Sequence, residues 1–227
     1  MIEFIQHLIN GLSLGSIYAL IALGYTMVFG ILQLINFAHG DVFMLGAFIG
    51  MYSAKYLHFG EKSSLGALLV TIAIAMVGCA LVGFLIERLA YRPLRKSPRI
   101  NLLITAVGVS LFLEFSGQLC FTANPQFFPQ IYVPAGNWAI GELKINPIQL
   151  LVFLISIVLM TILQYIIFRT RLGRAMRAVS FNHDLASLMG INTDRVISYT
   201  FMLGSALAGA AGVLWVSHTR RSNPSWV

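Results

Sequence analysis

Apolar residues run through this chain in long blocks, without the alternation of a sheet or the single stripe of a surface helix. A helix needs about 20 mostly apolar residues to cross a bilayer core. Four blocks meet that requirement cleanly, at 65–86, 100–122, 147–168 and 196–216. The first third is harder to divide. No Lys, Arg, Asp or Glu occurs between Glu3 and Asp41. One straight helix over that run would be about 55 Å long, too long for a core of roughly 30 Å. The segment Asn36-Phe37-Ala38-His39-Gly40-Asp41 is the natural break. Asn36 and Gly40 tolerate non-helical backbone, and Asp41 can cap a following helix. The pattern therefore predicts a span over 12–35 and a shorter helix over 41–59.

That shorter helix is densely apolar only as far as Lys55. Two arrangements fit it: an oblique span, or re-entry from one side. A span puts the N-terminus outside, and re-entry puts it inside. The expected fold is all-α: a polytopic membrane bundle of about six membrane helices, including the short or broken one near 36–59.

Composition narrows the class. Of the 227 residues 58% are hydrophobic and 10% charged, with mean hydropathy +0.81. A soluble domain carries roughly 25% charged residues. A soluble enzyme, a disordered chain and a disulfide-rich module are excluded. The net charge of +7 sits in two clusters: Arg88, Arg92, Arg95, Lys96 and Arg99, then Arg169, Arg171, Arg174, Arg177 and Arg195. No aromatic residues interleave with them as a nucleic-acid surface requires, so no nucleic-acid partner is expected. Basic residues stay on the cytoplasmic side of membrane spans. Loops 88–99 and 169–195 are two spans apart, so they share that side. Segment 123–146 is then external, with Glu142 and Lys144 as its charges and Tyr132 and Trp138 as interface residues. Arg220 and Arg221 fall outside, against the rule. Cys79 and Cys120 lie in apolar stretches and read as buried, inert thiols. The start Met1-Ile2-Glu3-Phe4 lacks a basic region, so no cleaved signal peptide is expected.

Few side chains suggest chemistry. Gly11-Leu12-Ser13-Leu14-Gly15 fits the G-x-S-x-G pattern, but at the start of an apolar helix it lacks the strand-turn-helix context of a nucleophile. Gly204, Ala208 and Gly212, like Gly46 and Gly50, recur every fourth residue and read as close helix-packing faces. His39 and Asp41 have no third or fourth ligand at helical spacing, so no metal is expected. They read either as a polar turn at a membrane face or as a broken helix facing a transport path. Glu114 lies beyond the middle of a span and faces either a cavity or the outer interface. In the second basic loop, residues 182–190 read as a short amphipathic helix. Asn182 caps it, Asp184 suits its positive end, and Gly190 ends it. Leu185, Leu188 and Met189 share one face. That face lies either on the bilayer or against a protein.

Here a family resemblance becomes specific. Asp184-Leu185-Ala186-x-x-x-Gly190 has the spacing of the E-A-A-x-x-x-G loop of ABC importer permeases, with Asp for the first Glu and Leu for the first Ala. Around it, RTRLGRAMRAVSFNHDLASLMGIN resembles the cytoplasmic loop of the LivH type of branched-chain amino-acid permease. LGYTMVFGILQLINFAHGDVFMLGAF resembles the family's N-terminal region, and ERLAYRPLR its first basic loop. The resemblance runs from about residue 8 to residue 216. The tail SHTRRSNPSWV reads differently. The family continues for roughly another 60 to 80 residues, about two spans. Residues 1–227 therefore read as a single transmembrane permease domain, incomplete at its C-terminus. Glu114 also departs from the family, which carries an uncharged polar residue there.

The resemblance implies a multi-pass permease of the bacterial inner membrane, not itself an enzyme, importing leucine, isoleucine and valine. It implies a second permease subunit completing the pore, two cytoplasmic ATP-binding subunits and a periplasmic amino-acid-binding protein. The chain contains no Gly-Lys dipeptide, hence no P-loop, and needs no cofactor of its own. The coupling loop would use Arg174, Asp184, Leu185, Ala186, Leu188, Met189 and Gly190. Asn36, His39, Asp41 and Glu114 are the candidates for the translocation path. Urea or amides are alternative solutes. An ion-coupled carrier is the alternative mechanism, with Glu114, Asp41 and the histidines as its coupling sites.

Overall fold

The computed structural model describes residues 2–33, 35–58, 64–95, 97–121, 138–140 and 143–222. Helices that are apolar all round gain little from amphipathicity, and small residues decide which sides meet. The elements are α1 (Ile2–Leu32), α2 (His39–Tyr56), α3 (Leu65–Ile86), a π-helical segment (Glu87–Tyr91), α4 (Arg92–Leu94), α5 (Arg99–Phe121), α6 (Pro147–Arg169), α7 (Arg171–Phe181), α8 (His183–Leu188) and α9 (Thr193–Ser222). A hairpin of β1 (Trp138–Ile140) and β2 (Leu143–Ile145) pairs Ala139 with Lys144 in the loop before α6. Periodicity gave no sign of it. Tyr132 and Glu142 of that loop lie outside the described residues.

Local chemistry sets the helix ends. The Ser64 hydroxyl accepts from the Ala67 N–H at 3.1 Å and starts α3. Asn146 and Pro147 start α6, and Thr170 caps α7 through Gly173 N–H at 3.1 Å. Several limits differ from the hydropathy blocks: the helix expected over 41–59 runs from His39 to Tyr56, with Asp41 inside its first turn and no side-chain cap, and α9 starts three residues before 196. α1 starts ten residues before the predicted 12, because a helix continues through polar residues such as Gln6 and Asn10, which bond each other at 3.3 Å. It ends at Leu32, because Gln33 takes the left-handed conformation (φ 53). α9 continues through 217–222, beyond the apolar block.

α9 is the centre of the bundle, flanked by α1, α2 and α3. Its small residues permit this. A Cβ built on Gly46 of α2 would fall 2.5 Å from the Cα of Gly209. One on Gly204 would fall 2.8 Å from the Gly24 carbonyl oxygen of α1. Ala208, Ala210, Ala211, Val213 and Leu214 are fully buried around these crossings. The glycine stripes predicted from sequence are thus the packing faces. α5 is peripheral. Its outer face, including Phe112 and Leu119, is uncovered, and so is Cys120. The expectation that both thiols are buried holds for Cys79 alone.

Contacts also fix direction. Gly46 meets Gly209 and Gly50 meets Val213, so α2 and α9 run the same way. Ser13 meets His218 while Gly24 meets Gly204, so α1 runs oppositely. Cys79 meets Gly209 and Gly83 meets Ser205, so α3 also opposes α9. Asn36, just before α2, bonds Tyr91 near the arginines, while Ala54 packs with Ala67 and Leu68 at the other end of α3. α2 therefore crosses the bundle and does not re-enter. The two basic loops meet at one end of the molecule, where Arg92 and Arg95 pair with Asp194.

Candidate functional site

At the break between α1 and α2, a groove of about 510 Å³ opens along α1. Tyr18, Ile21, Tyr25 and Thr26 form one side, and Asn36, Phe37 and His39 the other. The polar atoms here are held in place. Asn36 Oδ1 accepts from the Tyr91 hydroxyl at 3.0 Å. His39 Nε2 lies 3.2 Å from the Ile21 carbonyl oxygen, and its ring meets Tyr25 edge-on at 5.8 Å. The groove surface is almost wholly apolar, because Asn36 and His39 are buried behind it with their polar atoms engaged.

The four candidate path residues separate into two pairs. Asn36 and His39 line the groove. Asp41 turns to α5, where Ser110 donates to Oδ2 at 2.5 Å. Glu114 is one helical turn beyond Ser110, exposed and within electrostatic reach of Asp41.

The loop 169–195, expected from the sequence to couple to an ATPase, lies at the basic end. α7 carries exposed Arg174 on one face and buries Met176 and Val179 on the other. Asn182 Oδ1 accepts from the N–H groups of Asp184 and Leu185 at 2.9 and 3.0 Å and starts α8. Gly190 follows in the left-handed conformation (φ 81). Ala186 is buried, so α8 is seated on the bundle by one small residue. Leu188 and Met189 are 82% and 83% exposed, with Phe181 and Leu185 beside them. His183 Nε2 contacts the Ile31 carbonyl oxygen at 3.0 Å, joining α8 to the end of α1.

Sequence reasoning missed the ion network behind this loop. Glu87, in the π-helical segment, is fully buried. Its Oε1 pairs with Arg95, and its Oε2 accepts from the Ser198 hydroxyl at 2.6 Å. Arg95 also pairs with Asp194 at 2.5 Å, and Arg92 with the same carboxylate at 2.9 Å. Burial lowers the Arg95 pKa, while Glu87 and Asp194 raise it. An arginine stays charged under either influence. The network ties α3 and α4 to the start of α9. The available signal was Glu87 with Tyr91 four residues on, an acid and an aromatic on one face directly after an apolar span.

Apolar helices of alternating direction, with their arginines gathered at one end, define a polytopic membrane protein. Residues 7–226 match the family described as the branched-chain amino acid transport system permease component, and the chain belongs to that family. The match runs through the tail from 217, which the sequence reading had set apart. The chain is 42% identical over 219 residues to the high-affinity branched-chain amino acid transport system permease protein LivH of Escherichia coli K12, covering 93% of this chain and 70% of that one. It is 40% identical over 218 residues to the corresponding BraD protein of Pseudomonas aeruginosa, with the same coverage. A probable LivH from Methanocaldococcus jannaschii is 28% identical over 210 residues, covering 88% of this chain and 62% of that one. No solved structure matches the chain.

Proposed function

We propose that this chain is a permease subunit of an ATP-driven importer for branched-chain amino acids in the inner membrane. Membership of the permease family and the relatives' names support the substrate class. The observation that carries the coupling is the exposed apolar face of Phe181, Leu185, Leu188 and Met189 beside an arginine-rich end. Arginines mark that end as cytoplasmic. An apolar helix face there fits a cleft on an ATP-binding subunit. A second permease subunit completes the pore along the groove side of α1. A periplasmic binding protein delivers the amino acid to the opposite end.

The mechanism follows from what α8 touches. Closure of the ATP-binding subunits moves α8. His183 passes that motion to the end of α1, and the short connection to Asp194 passes it to α9. Asp194 carries it through Arg92 and Arg95 into α3. Both walls of the groove at Asn36 then shift, because Tyr91 holds Asn36. Coupling needs different contacts with two states of the ATPase, which nucleotide supplies.

The test is Gly190→Arg in the complete transporter, with leucine uptake and membrane insertion both measured. A Cβ at Gly190 has open space, so the effect acts through backbone strain and bulk on the docking surface. Uptake is expected to fall to background with insertion unchanged. Normal uptake would sink the assignment.

A further inference from the structure

The geometry points to a binding site for the headgroup of an anionic phospholipid, between α3 and the start of α9. A cavity of about 650 Å³ opens there. That volume falls within the roughly 300–1,000 Å³ of small-molecule sites. Its polar end is formed by Arg88, Arg92, Arg195, Asn192, Ser198 and Asp194, the last with its carboxylate held by Arg92 and Arg95. Its other end is apolar, formed by Leu81, Phe84, Tyr199 and Met202. From Arg88 to Leu81 is about 10 Å along the helix, directed from the basic end into the span. A phosphodiester at the arginines thus continues into an acyl chain along the apolar wall.

Charge decides the occupant. Four arginines meet here, Arg88, Arg92, Arg95 and Arg195, against the two carboxylates of Glu87 and Asp194. Both carboxylates are already engaged, Glu87 by Arg95 and Ser198, Asp194 by Arg92 and Arg95. Arg88 lies over the Phe84 ring at 5.9 Å, and among the described residues neither Arg88 nor Arg195 has a carboxylate partner. Two positive charges therefore remain at the boundary of the span. An apolar helix in this cavity would leave them uncompensated. A free phosphate would leave Leu81 and Tyr199, 56% and 49% exposed, uncovered. A phosphodiester with acyl chains satisfies both ends. Basic pockets between membrane helices on the cytoplasmic side bind anionic headgroups in this way. The site is independent of the transport reading, since it needs neither a partner subunit nor an amino acid.

The experiment titrates the purified full chain in neutral detergent with dioleoylphosphatidylglycerol or dioleoylphosphatidylcholine, reading bound lipid by native mass spectrometry. Phosphatidylglycerol is expected to bind about tenfold tighter or better. Arg88→Gln with Arg195→Gln should abolish that preference, Arg88→Lys with Arg195→Lys should keep most of it, and Arg171→Gln, on α7 outside the cavity, should keep all of it. Should the double glutamine variant aggregate, Arg195→Gln alone carries the test, with a loss of about threefold to fivefold. Equal affinity for the two lipids overturns the site. An equal loss in Arg171→Gln also overturns it, because the attraction is then diffuse. Displacement by glycerol phosphate at similar concentrations overturns the lipid assignment in favour of a free anion.

Discussion

Glu87 is fully buried, and it is tolerable there because each carboxylate oxygen has a partner. Arg95 takes one oxygen and Ser198 the other. Removing one member of a buried ion pair strands the other at a cost of about 3–5 kcal/mol. Arg95 keeps Asp194 when Glu87 is removed, so Glu87→Ala should destabilise the bundle by less than that, about 1–3 kcal/mol in an SDS unfolding titration. Glu87→Gln with Arg95→Gln should cost clearly less than the sum of the two single changes, since neither side is then left charged. Additive losses would mean that the pair contributes no coupling. The buried charge was legible as a residue type after a span. Its partners were not: Ser198 is 111 positions away, and Arg95, though only eight residues on, comes back to Glu87 through the π-helical segment and α4.

At the scale of elements, α2 and α9 meet through backbone at Gly46 and Gly209. Overpacking a tight crossing costs about 1–3 kcal/mol. Gly46→Val should cost at least that in the same titration, because backbone cannot rotate away as a side chain can. Gly108→Val on peripheral α5 is the control. A Cβ there meets nothing within 4 Å, so stability should stay within about 0.5 kcal/mol. Equal effects at both positions would show that the crossing is loose. The π-helical segment Glu87–Tyr91 is the less legible element. Glu87 and Tyr91, its first and last residues, are both buried, where one holds Arg95 and the other Asn36. Nothing in the local pattern announces it, since π turns arise from tertiary demands on a continuous helix.

Across the whole molecule, direction is the main result. α1 opposes α2, α2 opposes α3, and the arginines lie where α1 and α3 end. The N-terminus then lies on the side opposite the arginines, outside the cell if they are cytoplasmic. In a chain with Cys79→Ala and Cys120→Ala, Glu3→Cys should react with an impermeant maleimide on intact cells. Arg174→Cys should react only after the membrane is opened. The reverse labelling would invert the orientation and rule out the docking of an ATP-binding subunit proposed for the loop 169–195.

The sequence by itself determined the class: apolar blocks without charge can only be spans, and their length, caps and small-residue stripes follow from bilayer thickness and backbone chemistry. It also marked the 182–190 helix, because a cap, an apolar face and a terminal glycine are all local. What only the tertiary structure decided was pairing. It showed that α2 crosses, that Asn36 and His39 share a groove while Asp41 turns to Ser110, and that Glu87 is neutralised by Arg95. The physical reason is range. Periodicity and capping act within a few residues, whereas a membrane helix that is apolar on all sides carries no local mark of which face meets which neighbour.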